Sequence, residues 1–432
     1  MKKIIYLFAF AALLVACEKE EMSTPPLSVE DPLAEVIRIA QEGAAMLDDA
    51  QTRSVVARRI DRSSISCKIN PATRAGEADD TLYYVVNYAD NAGFAIVSAD
   101  DNASDGARLI AVTESGSYTA GEKTENEGFN MYVNAMEAYY AALPDTIPII
   151  DPPARDEVDP GVVYESEEYS AWSSVAELLS VKWGQDSPYN TEAPYRPNIN
   201  PYTGEILYYS QSYAGCGPIA IAQILTYHNY PETINLTYDN HTNTIISLDW
   251  NAIKMHSQTQ TCTGCNAETT IAQLVRQIGE LANASYYTNI TTVTQTGILN
   301  ALSCLGYEHT ECLTYSWDAV VDEFNNARPV FIGARDSNGS GHVWVLDGYK
   351  TRECIRYEID LIANTKVEID RYDCNYVHCN WGYNGSYDGY YQDGIFDSQQ
   401  FYQLDDSSDS TDSSWSYTIE PFIITNIKPL AL

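Results

Sequence analysis

The chain has 432 residues, of which 45% are hydrophobic and 20% charged. That is enough length and apolar material for two or three globular domains. Acids outnumber bases 60 to 25, for a formal net charge of −35. Charge of that sign repels phosphate backbones, so nucleic acid is not an expected partner, and an anionic membrane surface cannot hold the chain electrostatically. Any membrane attachment has to be covalent or hydrophobic.

The N-terminus offers such an attachment. Lys2 and Lys3 precede an apolar run from Ile4 to Leu14, too short to span a bilayer and typical of a secretion signal. Leu14-Val15-Ala16-Cys17 resembles a bacterial lipobox. The expectation is therefore a signal peptide over 1–16, cut before a lipidated Cys17, with 17–30 as a tether carrying Pro25 and Pro26. The acidic run Glu18-Lys19-Glu20-Glu21 resembles the export tag of surface lipoproteins. Together these predict an outer-membrane lipoprotein facing the surface or the periplasm, its membrane contact made through the lipid.

Next, residues 31–145 read as a small α+β domain. Apolar residues recur at helical spacing from Leu33 to Leu47. Thr81–Tyr88 and Gly93–Ser98, rich in β-branched and aromatic residues, flank a turn-like Ala89-Asp90-Asn91-Ala92 and predict a hairpin. Leu109–Val112 adds a strand and Gly128–Leu143 a second helix. Pro144, Pro148, Pro152, Pro153 and Pro160 exclude regular structure, so 146–167 is expected to be a linker. The larger domain, 168–432, has helices early and β-type runs between Val330 and Ile424, interrupted by an acidic Ser/Asp loop at 405–414. Cys262-Thr263-Gly264-Cys265 has the spacing of a zinc knuckle or redox pair, but no matching second pair completes a metal site. Hence neither metal nor cofactor is expected, and the nine cysteines beyond Cys17 read as local disulfides or buried thiols.

Four segments of the second domain carry residues suited to chemistry. In Gly215-Cys216-Gly217-Pro218, the proline is tolerated only in the first turn of a helix, so a helix begins beside Cys216 and stops before Pro231. A thiol at the positive end of a helix dipole has a lowered pKa, as a nucleophile requires. His342 opens an alternating strand after the glycine turn Asn338-Gly339-Ser340-Gly341 and is suited to act as base for a thiol. Asn380 and Trp381, in His378-Cys379-Asn380-Trp381-Gly382, are candidates to orient the imidazole and shield it from water. Gln185, in Trp183-Gly184-Gln185-Asp186, is a candidate oxyanion donor alongside the Cys216 amide.

The order Gln185, Cys216, His342, Asn380-Trp381-Gly382 resembles that of the papain-like cysteine peptidases. The streptopain family is the nearer likeness, through Ala222-Gln223-Ile224, Tyr227-His228-Asn229-Tyr230-Pro231 and Asp347-Gly348 over about 175–425. The resemblance implies a papain-like α+β fold, a helical half joined to an antiparallel sheet half. His228 belongs to the family pattern, but its place on the apolar helix face keeps it out of the catalytic set. Gly93–Asp101 and Glu114–Ser117 resemble the inhibitory propeptide that precedes such enzymes. A zymogen follows from this likeness: a cysteine endopeptidase acting on proteins or peptides, with its own propeptide as intramolecular inhibitor. The competing reading is a non-catalytic binding or inhibitor module on the same fold, favoured by the 33 tyrosines.

Overall fold

The computed structural model describes residues 32–48, 58–70, 81–99, 108–142, 163–239, 241, 243–259, 267–336, 339, 341–360, 365–396 and 420–430. The signal, Cys17, the tether, Cys262, Cys265 and the 405–414 loop lie outside the described residues, as does most of the linker.

In the first domain the strands β1 (Ile60–Ile69), β2 (Thr81–Tyr88), β3 (Phe94–Ser98) and β4 (Leu109–Thr113) form an antiparallel sheet in chain order. Helix α1 (Pro32–Asp48) covers one face and α2 (Glu127–Ala142) the other. Both helices and β2 to β4 fall where the sequence places them. The first strand was not anticipated, because its half-exposed residues show no apolar alternation.

The sheet does not stop at the domain's end. Its fourth strand pairs with Gly389–Gln392, with Thr113 opposite Gly389, Val112 opposite Tyr390 and Ala111 opposite Tyr391. The order continues through Thr365–Asn380, Gly341–Asp360, Val330–Arg335 and Phe422–Ile424. Gly389 allows this seam: a Cβ there would lie 2.3 Å from the Val112 carbonyl oxygen. The two domains also share a core, in which Phe94, Phe129 and Tyr132 pack in the same cluster as Trp344, Trp381 and Phe396. Strands β5 (Val163–Tyr169) and β6 (Ser173–Val175) pair with the long strand Gly341–Asp360. This corrects the end of the expected linker. Residues 163–167 are strand, since the backbone of Gly341–Asp360 offers them a partner that proline density upstream does not reveal.

The other half is helical, built around α3 (Cys216–His228) with α4 (Trp250–Thr259), α5 (Ala267–Leu281), α6 (Gln295–Cys304) and α7 (Trp317–Asn325). The sequence suggests one apolar face for the third helix, yet every residue from Gly217 to Thr226 is buried. It is the central pillar of this half rather than an amphipathic surface helix. Ile219, Ile221, Ile224 and Leu225, each at most 1% exposed, stabilise its position by about 1.5–3 kcal/mol apiece relative to exposure. The whole is an α+β, papain-like arrangement of helical and antiparallel halves behind an α+β prodomain. No helix among the described residues is long and apolar enough to cross a membrane. Cys354, Cys374 and Cys379 are buried in the sheet, while Cys67 and Cys304 are exposed.

Candidate active site

Cys216 stands at the start of the third helix because the chain around it can only be glycine. Gly215 has φ +97°, and Cβ atoms on Gly215 and Gly217 would lie 2.8 Å from Thr291 Cγ2 and 2.5 Å from Val293 Cγ2. Those contacts press the helix N-terminus against the 291–293 segment and aim the thiol into a cleft of about 1210 Å³ between the two halves. Gln185 and His342 line the same cleft. So do Glu122 to Glu127, the segment that leads into the prodomain's second helix.

The Trp183–Asp186 turn is fixed from three sides. The Gln185 carbonyl accepts from the Ala214 N–H at 2.8 Å, and the Trp183 carbonyl from the Asn384 N–H at 3.1 Å. The Asn384 amide donates to Asp186 Oδ1 at 3.0 Å. Gln185 itself is half-buried and hydrogen-bonds the Tyr383 hydroxyl.

His342 is 1% exposed. Its Nε2 donates to the Trp381 carbonyl oxygen at 2.9 Å, and Nδ1 has no hydrogen-bond partner. Neither nitrogen is engaged by the Cys216 thiol. Burial lowers the His342 pKa to about 4, the Trp381 bond opposing it. Burial likewise pushes the Cys216 thiol up to about 11, with Glu127 adding to the rise and the Val343 and Gly217 amides opposing it. A low thiol pKa from the helix dipole is therefore not what this arrangement has: loss of solvent outweighs the dipole. Thiol and imidazole are both held neutral.

The prodomain contributes to this. Gly128, in the first turn of the second helix, is so close that a Cβ would lie 2.6 Å from both His342 Cδ2 and Trp381 Cε3. The Glu127 N–H donates to the Tyr383 hydroxyl at 3.3 Å, and the Tyr383 ring lies 5.3 Å from the imidazole.

Asn380 does not have the expected place. Its Nδ2 donates to the Val181 carbonyl at 2.9 Å, and its Oδ1 accepts from Gln223 Nε2 at 3.1 Å and from the Gly382 N–H at 3.3 Å. Gln223 Oε1 in turn accepts from the Trp183 N–H at 3.0 Å. These bonds leave the Asn380 side chain locking three chain segments together, and the imidazole bond falls to the neighbouring Trp381 carbonyl. The Trp381 indole, fully buried, packs on Trp344 at 4.8 Å. His228 lies half-buried at the far end of the helix, against Tyr227 and Tyr307.

Two features escaped the sequence reading. Tyr383 links Gln185, His342 and the prodomain, and nothing local in its loop marks it. The second is a buried pair, His378 Nδ1 with Asp347 Oδ1 at 2.6 Å. Both residues stand in motifs quoted above, but the pairing comes from sheet register, with His378 opposite Gly348.

A thiol at a helix N-terminus, an imidazole on a strand lining the same cleft and a prodomain packed against that imidazole define a latent cysteine peptidase. Residues 183–391 match the Peptidase C10 family and residues 46–140 the Spi protease inhibitor family. The chain is a cysteine endopeptidase carrying its own inhibitory propeptide, similar over its second domain to the Peptidase C10 enzymes. Streptopain of Streptococcus pyogenes is 24% identical over 359 residues, covering 77% of this chain and 78% of that protein. The thiol protease/hemagglutinin PrtT of Porphyromonas gingivalis is 23% identical over 323 residues, covering 67% of this chain and 34% of that one. Among solved structures, a fragment of Prevotella intermedia prointerpain A is 21% identical and covers 84% of this chain and all of that one, with a TM-score of 0.48. Active interpain A from the same organism is 20% identical, covering 58% of this chain and 94% of that one, with a TM-score of 0.35.

Proposed function

We propose that this chain is an exported, lipid-anchored zymogen in which Cys216 is the nucleophile and His342 its base. The observation that carries the catalytic part is the shared cleft: thiol and imidazole line it from the two halves, prodomain residues 122–127 line it too, and Gly128 sits against His342. Departure of the prodomain removes the Glu127 charge and lets water reach both groups. The thiol pKa then falls and the imidazole pKa rises, which favours a thiolate–imidazolium pair. The thiolate attacks the scissile carbonyl, and His342 passes its proton to the leaving amine. The Cys216 N–H and the Gln185 amide stabilise the oxyanion, with Tyr383 holding Gln185 in place. The Trp381 carbonyl orients the ring, and Asn380 acts through the backbone it fixes.

Anchoring rests on the lipobox-like Leu14–Cys17 and the basic, apolar stretch before it. It places the enzyme at the outer membrane, with proteins or peptides as substrates.

Two experiments test this reading. A thiol-reactive peptidyl inhibitor should label Cys216 after the 143–162 segment is cut and the prodomain removed, and not before. Peptide hydrolysis by folded Cys216→Ala enzyme would refute the nucleophile. For the anchor, mass spectrometry of the membrane-bound protein should find acylated Cys17 at the N-terminus, and Cys17→Ala should release the protein from the membrane. Membrane retention of that variant would overturn the anchor alone.

A further inference from the structure

Behind the cleft, where the prodomain sheet joins the peptidase sheet, lies a second buried cluster that the proposed mechanism does not use. Its centre is His378, whose side chain is 3% exposed. Asp347 Oδ1 accepts the Nδ1 proton at 2.6 Å, and Asp347 Oδ2 is itself fixed by the Leu179 N–H at 2.9 Å. That leaves Nε2 to face the seam, buried and without a hydrogen-bond partner. Opposite stands Glu114, one residue beyond the prodomain's seam strand, with Oε1 3.8 Å from Nε2 and a side chain only 9% exposed. Glu177 completes the group and accepts from the Tyr390 hydroxyl at 3.0 Å. Ligand atoms of Glu114, Glu177 and His378 all lie within 4.8 Å of one another.

Three facts point to a cation. First, carboxylate–imidazole pairing with the far nitrogen left open is the arrangement that orients a metal-ligating histidine. Second, the carboxyl groups of Glu114, Glu177 and Asp347 converge here with Lys182, which pairs with Glu114. Buried charge of one sign in excess is costly unless compensated. Third, neighbouring Asp388 is fully buried and interacts electrostatically with Lys182, His378 and Glu114, yet its Oδ2 also has no hydrogen-bond partner.

We propose that Glu114, Glu177 and His378 form a divalent transition-metal site of the zinc type that clasps the prodomain to the peptidase. One imidazole nitrogen and two carboxylates suit such an ion, with a fourth position for water. The ligands come from three distant parts of the chain, so no spacing motif announces them, and the sequence expectation of no metal could not have weighed them. One ligand belongs to the prodomain. The site therefore exists only in the zymogen, and activation dismantles it.

The test uses the zymogen from residue 18, with Cys216→Ala to prevent turnover and Cys262→Ser and Cys265→Ser to remove a competing thiol pair. Titration with Zn²⁺ at pH 8 should show one saturable site. Co²⁺ should give d–d bands without a thiolate charge-transfer band. Glu114→Gln and, separately, Glu177→Gln should each weaken binding at least about tenfold, and Zn²⁺ should raise the Tm of the parent more than that of either variant. Absence of saturable binding overturns the proposal. So does binding unchanged in both variants, or a thiolate band on Co²⁺. Because the protein tested is catalytically dead, failure here leaves the peptidase reading untouched, and failure of that reading leaves this one standing.

Discussion

Two buried histidines, on paired strands of one sheet, are driven in opposite directions. His342 in the cleft has a backbone carbonyl for company and its pKa falls to about 4. At the seam, His378 has a carboxylate at 2.6 Å and rises to about 9. Burial is common to both, so the partner decides the charge. The prodomain touches both places, through Gly128 at the cleft and Glu114 at the seam. It keeps the proposed base neutral in one and sets a carboxylate beside a buried imidazole in the other.

The largest effect is expected at the cleft. In enzyme freed of its prodomain, His342→Ala should lower kcat/KM by about 10³-fold, and His378→Gln much less, as measured on a peptide substrate with folding checked by circular dichroism. Next comes Asp347→Asn, which strands the His378 imidazolium. We expect a loss of about 3 kcal/mol in zymogen stability at pH 6 by urea unfolding. The sign of its pH dependence follows from the raised pKa. The pair's stabilisation is fully present below about pH 6.5 and fades as pH rises through 9, so the deficit should shrink in alkali. His342 runs the other way. Its depressed pKa means that stability present above pH 6.5 is lost as pH falls through 4, so Ala at 342 should make the zymogen less sensitive to acid.

Gly128→Ala sharpens the contrast further. Alanine favours a helix by about 1 kcal/mol over glycine, yet its methyl would collide with His342 and Trp381. Prodomain affinity should fall about tenfold, an overpacking cost of 1–3 kcal/mol, seen as residual activity in the uncut zymogen. The smallest effect is expected of Glu127→Gln. Glu127 is exposed, and loss of its charge should lower the Cys216 pKa by less than about one unit, read from the pH profile of zymogen alkylation.

The cleft was legible in the sequence where its geometry is local. Glycines around Cys216, a proline in the first helical turn and a strand opening at His342 all declare themselves within a few residues. Asn380 ends the strand Thr365–Asn380, and its bonds differ from the expected one to the imidazole, because Gln223 and Val181 reach it from other parts of the chain. The seam was silent for a related reason. Gly389–Gln392 is a four-residue strand buried throughout, so it shows no alternation, and its pairing with the prodomain is settled by strands far away in sequence.

That four-residue strand has a consequence for the mature enzyme. When the prodomain leaves, it strips hydrogen bonds from Gly389–Gln392 and bares a sheet edge directly beyond the Trp381–Asp388 loop. An open edge is a template for any extended chain. The activated peptidase thus carries, behind its catalytic wall, a strip of backbone that water, a loose segment of its own or another polypeptide has to cover.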